Sequence, residues 1–547
     1  MPSPSFADTT FQKIARWIKH CDDMHLTCQN YPNSILGTEE RYLPTRVIHV
    51  GSATQSPYLH IPQTHQNDAY IALSHCWGEI SQVRTLKENI ENFRSEIIFD
   101  SLSKTFQDAI YVARRLGIEY IWIDSLCIVQ DDKSDWLQES ERMGSVYANA
   151  YITIAATWAV DGNGGLDNRH ASRPWVKFPF DGTDEDKGYM WFTDASSWAS
   201  ETELDNAPLN KRGWVFQETM LSGRIIHFAA SQVYWQCFQR SFGEEDEESE
   251  IYRKSTTNLS IFWYEAKEIS RIAKIQIGRA HSLGYHRDLD EFYKRWRAIV
   301  GYYCTMTFTK ESDRLRALLG IVRIAENKTG LRCVDGHWHK GSWPFLRELM
   351  WMCKEQRTLS VSEDRRRSRL CSSWSWASLE GPITYPDNFA SWKLDPSEDC
   401  DLYLHAIEDE VLIPWPSHPL KVLGMLRILH KIECRRDEYI YQRVHKGRTF
   451  MVKAESSGGA DGWVSFDCGD EEPDRFHFCP VYHSSSEIAC LALVEHDGPK
   501  GSECYFKRVG VGYIQQLHYE DSGAPVDHVT DTECFFKSCA KETYYII

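Results

Sequence analysis

The alternation of apolar runs with an amphipathic segment between residues 70 and 156 restricts the fold of this chain more than any other feature. Residues 70–74 and 119–124 are short apolar runs of the kind that form buried strands. Residues 101–117 lie between them and carry apolar side chains at three- and four-residue steps: Phe106, Ala109, Ile110, Ala113 and Leu116. A strand, a helix and a second strand in this order predict a parallel sheet with right-handed crossovers.

The same pattern continues along the chain and divides it into regions. Residues 135–150 predict a second helix and residues 151–156 a third strand, so the fold class is α/β. The predicted regions are an N-terminal helix and strand extension, an α/β domain, a mostly helical region and a β-rich C-terminal region, at residues 1–67, 68–240, 241–380 and 381–547. Within the helical region, helices are predicted at residues 288–300, 312–326 and 345–355.

The charge and the cysteines restrict partners and location. The 547 residues carry a formal net charge of −17, which disfavours binding to the phosphate backbone of nucleic acids. The first residues form no apolar signal segment, and no run of about 18 apolar residues suits a membrane span. The 17 cysteines are spread along the chain, as in proteins with reduced thiols. We therefore expect a cytoplasmic protein without nucleic-acid or membrane partners.

Four sequence blocks resemble those of fungal heterokaryon-incompatibility (HET) domains. They follow the family order at residues 72–78, 120–130, 143–150 and 212–224, and read ALSHCWG, YIWIDSLCIVQ, MGSVYANA and RGWVFQE followed by LS and R. The resemblance covers roughly residues 68–220 as the domain proper. It extends loosely to SWSWAS at residues 373–378, which is similar to a downstream block of such proteins.

This resemblance implies a role in non-self recognition after hyphal fusion that ends in growth arrest or cell death. It also implies a protein partner or self-association as the mode of signalling. HET domains are expected to be distantly similar to TIR domains, which are flavodoxin-like modules with a parallel sheet. Some TIR domains hydrolyse NAD through a glutamate, so NAD is the expected substrate and no cofactor is needed.

Glu218 is the candidate catalytic residue that the TIR likeness implies. TIR enzymes place their glutamate four residues after a helical tryptophan, and Trp214 and Glu218 have this spacing, one helical turn apart. A carboxylate near the ribose can stabilise the positive charge that develops on the sugar as nicotinamide leaves. Lys211 and Val215 depart from the serine and cysteine of TIR enzymes. Alternatively, Glu218 belongs to a buried structural network with Arg224 or Arg212 as its partner.

The candidate ligand-binding residues follow the ends of the predicted strands, where open α/β sheets bind ligands. Ser74 and the backbone near Gly78 can contact a phosphate or a ribose, and Trp77 either stacks on a base or fills the core. Asp124 either binds a ribose hydroxyl or is a buried structural carboxylate. The expected substrate-binding set is Ser74, His75, Trp77, Gly78, Asp124, Trp214 and Arg224.

Three other functions stay open. A non-enzymatic interaction module would use the same motifs only as a scaffold. A cysteine hydrolase could draw on Cys76 or Cys127 with a histidine, although no local nucleophile motif is present. Cys21, His25 and Cys28 have a spacing compatible with zinc, but a structural site needs four ligands. We therefore expect these three residues to pack a short helix and expect no metal site.

Overall fold

The structure is a computed structural model that describes residues 6–29, 42–64, 66–78, 82–167, 176–181, 187–192, 200–244, 283–339, 348–353, 371–385, 400–404, 420–425, 427–432, 449–454, 462–467, 473–483, 488–496, 504–514 and 541–546. The chain forms two units. The first is Met1–Arg279, Met306–Thr309 and Arg316–Thr329, and the second is Ala280–Thr305, Lys310–Leu315 and Gly330–Ile547.

The α-helices of the described residues are α1 Asp8–Met24, α2 Leu26–Gln29, α3 Ile90–Ser95, α4 Lys104–Arg115, α5 Asp124–Cys127, α6 Lys133–Asn149, α7 Ser200–Asn206, α8 Gly213–Leu221, α9 Leu283–Tyr303 and α10 Leu319–Thr329. Short 3₁₀ turns lie at Phe99–Ser101, Leu209–Lys211, Glu311–Asp313, Arg316–Leu318 and Trp376–Ser378. Across the described ranges, none of the helices is both long and apolar enough to cross a membrane.

The strands of the first unit are β1 Val47–His49, β2 Tyr58–His60, β3 Tyr70–Ser74, β4 Tyr120–Trp122, β5 Ile152–Ala155, β6 Val176–Asp181, β7 Lys187–Phe192, β8 Arg224–Phe228, β9 Val233–Cys237 and β10 Ser241–Gly243. Those of the second unit are β11 Arg332–Val334, β12 His337–His339, β13 Met352–Cys353, β14 Ile383–Thr384, β15 Cys400–Leu404, β16 Leu420–Met425, β17 Arg427–Ile432, β18 Thr449–Ala454, β19 Gly462–Phe466, β20 Arg475–His483, β21 Ile488–His496, β22 Cys504–Ile514 and β23 Lys541–Ile546.

The predicted parallel strands form the centre of an eight-stranded sheet in the first unit. The strand order is β10-β9-β8-β5-β3-β4-β1-β2. Strand β3 pairs in parallel with β4 on one side and with β5 on the other, and β5 pairs in parallel with β8. The outer strands are antiparallel, with β1 against β4 and β9 against β8. The α/β fold class predicted for this part of the chain is therefore confirmed, as a mixed sheet with a parallel centre.

The helices between these strands form where the apolar spacing predicts them. Helix α4 begins after Ser103, although the Ser103 side chain makes no capping hydrogen bond. It ends before Gly117, whose φ of 70° is the left-handed conformation that glycine adopts most readily. Asp132 caps α6 by accepting hydrogen bonds from the backbone of Ser134 and Asp135.

The second unit is rich in β-strands. Nine strands form one sheet in the order β15-β16-β23-β22-β19-β18-β17-β20-β21, with a further pairing of β22 with β21. The helix predicted at residues 345–355 is wrong at its end, since Met352–Cys353 is strand β13. The remainder of that predicted helix lies partly outside the described residues.

The downstream SWSWAS block lies in the core of the second unit. Trp374 and Trp376 are both fully buried, and Trp376 Nε1 donates a hydrogen bond to Gly336 O at 3.0 Å. The Ser375 hydroxyl donates to Asp335 O at 2.7 Å. These contacts satisfy polar groups in a dry interior, so the block has a structural role in this unit.

The segment before the parallel strands is fixed to them by a largely buried ion pair. Arg46 binds the Asp135 carboxylate through Nη2, at 2.7 and 2.6 Å, and its Nε donates to Cys127 O at 2.6 Å. The same carboxylate accepts the Val129 backbone N–H at 2.8 Å. One guanidinium thus joins the residue before β1 to the end of α5 and to α6.

Replacing Arg46 by alanine is expected to destabilise the first unit by about 3 kcal/mol, because the Asp135 carboxylate and the Cys127 carbonyl would lose their buried partner. Arg94→Ala removes an exposed ion pair with Glu91 and is expected to change stability by less than about 1 kcal/mol. Urea unfolding of the full chain, followed by tryptophan fluorescence, compares the two variants. Equal midpoints for both variants would contradict the proposed anchoring role of Arg46.

Candidate functional site

Polar side chains meet at the carboxyl ends of β3 and β4. Ser74 is the last residue of β3 and Asp124 follows β4 as the first residue of α5. Because the two strands are parallel neighbours, their carboxyl ends lie at the same edge of the sheet. Glu218, on α8, lies close enough to interact with both residues. Three predicted site residues from separate sequence blocks are therefore brought together.

Trp77 is held in place by Asp124. The indole Nε1 donates a hydrogen bond to Asp124 Oδ2 at 2.7 Å, and Oδ1 accepts the Ser125 backbone N–H at 2.7 Å. The Trp77 side chain is half-buried. The Asp124 carboxylate thus has a structural role, because it fixes Trp77. It also lies near Glu218, where a bound ribose hydroxyl would have to reach it.

His75 is a buried neighbour of the same carboxylate. Its Nε2 lies 3.8 Å from Asp124 Oδ1. Its ring packs edge-on against the Phe106 ring, with the two ring centroids 5.0 Å apart. Burial lowers the pKa of His75 despite the opposing effect of Asp124, which favours the neutral ring at physiological pH. The His75 backbone oxygen accepts a hydrogen bond from Arg212.

Glu218 is the most strongly perturbed carboxyl group of this cluster. It is 6% exposed. Burial raises the pKa of Glu218 from its ordinary 4.5 to about 7; Ser74, Arg212 and Tyr147 oppose the rise, and Asp124 adds to it. The Ser74 hydroxyl is thus near enough to affect the carboxyl group. Within the described residues, however, neither Ser74 Oγ nor Glu218 Oε2 has a partner at hydrogen-bond distance.

Trp214 occupies the first turn of the helix that carries Glu218. Helix α8 spans Gly213–Leu221, which confirms that the four-residue spacing is one helical turn. Trp214 is half-buried, whereas Glu218 is buried. Arg212, the residue that precedes the helix, is the arginine that stabilises the ionised form of Glu218.

Gly78 ends the Trp77 loop in a conformation that few other residues adopt. Its φ is 65°, and a Cβ at this position would lie 2.3 Å from Asp161 Cβ. A side chain here would strain the backbone and clash with the neighbouring loop. The glycine thus lets the chain turn beside the cluster, and its backbone is exposed.

Arg224 lies at the other end of the sheet and is not part of this cluster. Ser74 pairs with Ala155 in the register of β3 and β5, and Ala155 pairs with His227 in the register of β5 and β8. Arg224 precedes His227 by three residues, or roughly 10 Å along the strand. It forms an ion pair with Asp22 at 2.6 Å. The structure therefore does not bring Arg224 together with the other predicted site residues.

Tyr147 also belongs to the cluster, although its sequence block gave no sign of this, and Arg212 is one of the two arginines expected as a partner of Glu218. The Tyr147 hydroxyl donates to Leu73 O at 3.0 Å, and burial followed by the charge of Glu218 raises its pKa well above 10. Both residues lie within the quoted sequence blocks. Tyr147 reaches Glu218 because α6 packs against α8, which no local sequence pattern reports.

The cysteines of this region do not have the properties of a catalytic nucleophile. Burial raises the pKa of Cys76 and raises that of Cys127 to about 12. Both thiols therefore stay protonated at neutral pH, and the thiolate is the nucleophilic form. The geometry thus argues against the cysteine hydrolase.

Cys21, His25 and Cys28 lie at the end of the sheet opposite Glu218. The structure adds Cys237 to this group. This residue lies more than 200 positions further along the chain, so the sequence alone does not connect it to the other three. No spacing rule connects positions so far apart.

The fold and the polar cluster define a mixed α/β domain with a polar site beyond the carboxyl ends of its parallel strands. Residues 70–218 match the family model described as "Heterokaryon incompatibility protein (HET)", so the chain contains a HET domain over these residues. The domain suggests a role in heterokaryon incompatibility. The match runs from the first residue of β3 to Glu218. Searches of curated proteins and of solved structures found no match.

The raised pKa of Glu218 predicts a stability that falls with pH. Between about pH 4.5 and pH 7 the unfolded chain ionises this carboxyl group while the folded chain keeps it protonated. Stability is therefore expected to fall through this window, by up to about 3 kcal/mol, and to stay lower above it. Glu218→Gln is expected to remove this part of the decline.

Thermal unfolding of the wild-type chain and of Glu218→Gln from pH 5 to pH 8 measures the effect. Glu88→Gln changes an exposed glutamate and serves as the matched control, with a profile parallel to wild type. Parallel profiles for all three proteins would show that Glu218 ionises normally in the folded chain.

Proposed function

We propose that this protein is a heterokaryon-incompatibility effector that acts in non-self recognition and promotes regulated cell death by hydrolysing NAD. Glu218 would be its catalytic carboxylate. The observation that carries the proposal is the meeting of Ser74, Asp124 and Glu218 beyond the carboxyl ends of β3 and β4. A buried carboxyl group with a perturbed pKa in such a place is typical of an active site.

The strand order supports a flavodoxin-like, and hence TIR-like, architecture for this domain. The parallel strands lie in the order β4-β3-β5-β8, so their positions along the chain are second, first, third and fourth. This is the beginning of the flavodoxin-like order, and ligands of such sheets bind where the order reverses. Here the reversal lies at β3 and β5, and Ser74 ends β3.

Hydrolysis of NAD would break the bond between nicotinamide and ribose C1′. The bonding electron pair goes to the pyridinium nitrogen, and water then adds its oxygen to C1′ and releases a proton. Positive charge develops on the sugar before water adds. An ionised Glu218 can stabilise that charge, and its effect is large because the site is buried and its dielectric constant is low.

The residues around Glu218 suit the other parts of a dinucleotide. Trp77 and Trp214 are half-buried rings that can contact a base or nicotinamide. Asp124 can accept a hydrogen bond from a ribose hydroxyl while it holds Trp77. Arg212 supplies positive charge near the carboxyl group, where a diphosphate can pair with it. Signalling would take place in the cytoplasm and need self-association or a protein partner.

The non-enzymatic interaction module remains a second candidate for one specific reason. Glu218 is 6% exposed and Ser74 is 3% exposed, so a ligand needs an opening to reach them. Asp124 already binds Trp77 and the Ser125 backbone. In this alternative the cluster only stabilises the scaffold, and protein contacts carry the signal.

Glu218→Gln is expected to reduce nicotinamide release by about a hundredfold or more and to abolish toxicity on expression in a fungal host. The substitution keeps the shape of the side chain but removes its negative charge. Purified full-length protein is incubated with NAD, and free nicotinamide is measured by chromatography. Glu88→Gln is the control and should match wild type in both assays.

Two results would favour the interaction module instead. One is full toxicity of Glu218→Gln when its thermal midpoint shows that it is folded. The other is the absence of nicotinamide from oligomeric wild-type protein at high concentration.

The rate of NAD hydrolysis is expected to rise with pH through about 7, because only the ionised form of Glu218 can stabilise the developing charge. The measurement is kcat/KM for nicotinamide release from pH 5.5 to 8.5, at constant ionic strength. A rate that falls through the same range would exclude Glu218 as an ionised catalytic group.

A further inference from the structure

Four metal-binding side chains meet at the end of the sheet opposite Glu218. Cys21 lies near the end of α1, His25 lies between α1 and α2, and Cys28 lies in α2. The fourth residue, Cys237, is the last residue of β9. All four are buried, and their ligand atoms lie within 4.8 Å of one another.

The distances fit a single tetrahedral ion. Zinc binds thiolate sulfur at about 2.3 Å and imidazole nitrogen at about 2.0 Å, so ligand atoms around it lie roughly 3.5–3.8 Å apart. His25 Nδ1 lies 3.4 Å from Cys237 Sγ, close to this value. All four ligand atoms lie within 4.8 Å of one another, so small side-chain movements would bring them to the distances expected around a bound ion.

The turn that follows Cys237 holds this residue in place. In the turn between β9 and β10, the Cys237 backbone N–H donates to Arg240 O at 2.8 Å. The β9–β10 hairpin therefore fixes the backbone from which the Cys237 thiol meets His25.

Arg224 provides an independent indication of negative charge at this place. It pairs with Cys237 in the β8–β9 register. Its guanidinium is 6% exposed and bonds Asp22, yet Nη1 has no hydrogen-bond partner within the described residues. Three thiolates around a divalent ion carry one net negative charge, which this buried cation can offset.

We propose that Cys21, His25, Cys28 and Cys237 bind one zinc ion in a closed structural site. Four protein ligands leave no open coordination position, which distinguishes a structural from a catalytic zinc. The ion would fasten helices α1 and α2 to the β9–β10 hairpin, across a separation of more than 200 residues in sequence. Arg224 is then a residue that positions and neutralises the metal site and does not bind substrate.

The test uses full-length protein expressed with zinc in the medium and purified under reducing conditions. Metal analysis by mass spectrometry is expected to find about one zinc per chain in the wild type and less than about a tenth of that in Cys237→Ser. Cys127→Ser makes the same change at another buried cysteine of the first unit and should keep its zinc. Equal zinc in all three proteins, or none in the wild type, would overturn the proposal.

A second measurement does not depend on the folding of a variant. Wild-type protein loaded with cobalt in place of zinc is expected to show thiolate-to-cobalt charge transfer and the intense visible bands of a tetrahedral ion. A chelator should remove these bands and lower the thermal midpoint. An intact mass two hydrogens below that of the reduced chain, with no metal bound, would instead identify a disulfide among the three cysteines and refute the site.

Discussion

The parallel pairing of β3 with both β4 and β5 is the constraint on which the arrangement of the first unit depends. It sets the carboxyl ends of β3 and β4 side by side, next to the reversal of strand order between β3 and β5. The loops that leave these ends carry Ser74 and Asp124. Helix α8 then needs only to pack near that edge for Glu218 to reach them. Polar residues of three sequence blocks therefore meet at one edge of the sheet.

The two ends of the sheet carry different sets of polar side chains. The carboxyl ends of the parallel strands gather carboxyl groups, a hydroxyl and half-buried rings near Glu218. The amino end of β8 gathers Arg224, Cys237 and the residues of α1 and α2. Helix α1 is also anchored along the hairpin, where Thr10 Oγ1 donates to Glu244 at 2.8 Å. These anchoring residues lie outside residues 70–218, so the folded unit is larger than the segment that the family model matches.

The sequence predicts the centre of this fold well and its edges poorly. The apolar steps of α4 and the apolar runs of β3 and β4 are local signals, and each formed the expected element. Arg224 was misplaced because it is close to Glu218 in sequence, whereas β8 begins at the far end of the sheet. Cys237 was missed for the opposite reason, since antiparallel pairing of β9 with β8 brings it to α1 from a distant part of the chain. Long-range pairing decides both positions, and periodicity within a short window cannot report it.

Burial of Glu218 lowers the stability of this domain once the carboxyl group ionises, whereas the proposed reaction needs the ionised form. A carboxyl group in a dry site costs folding free energy once it ionises, and Arg212 offsets only part of that cost. A purely structural position would be filled more stably by a neutral side chain of the same shape, because Ser74 Oγ and Glu218 Oε2 leave hydrogen-bonding capacity unused within the described residues. An ionisable group kept at a pKa of about 7 is useful mainly where its charge is needed during a reaction. The energetic cost of this residue therefore supports the proposed catalytic role more than the alternative of a scaffold.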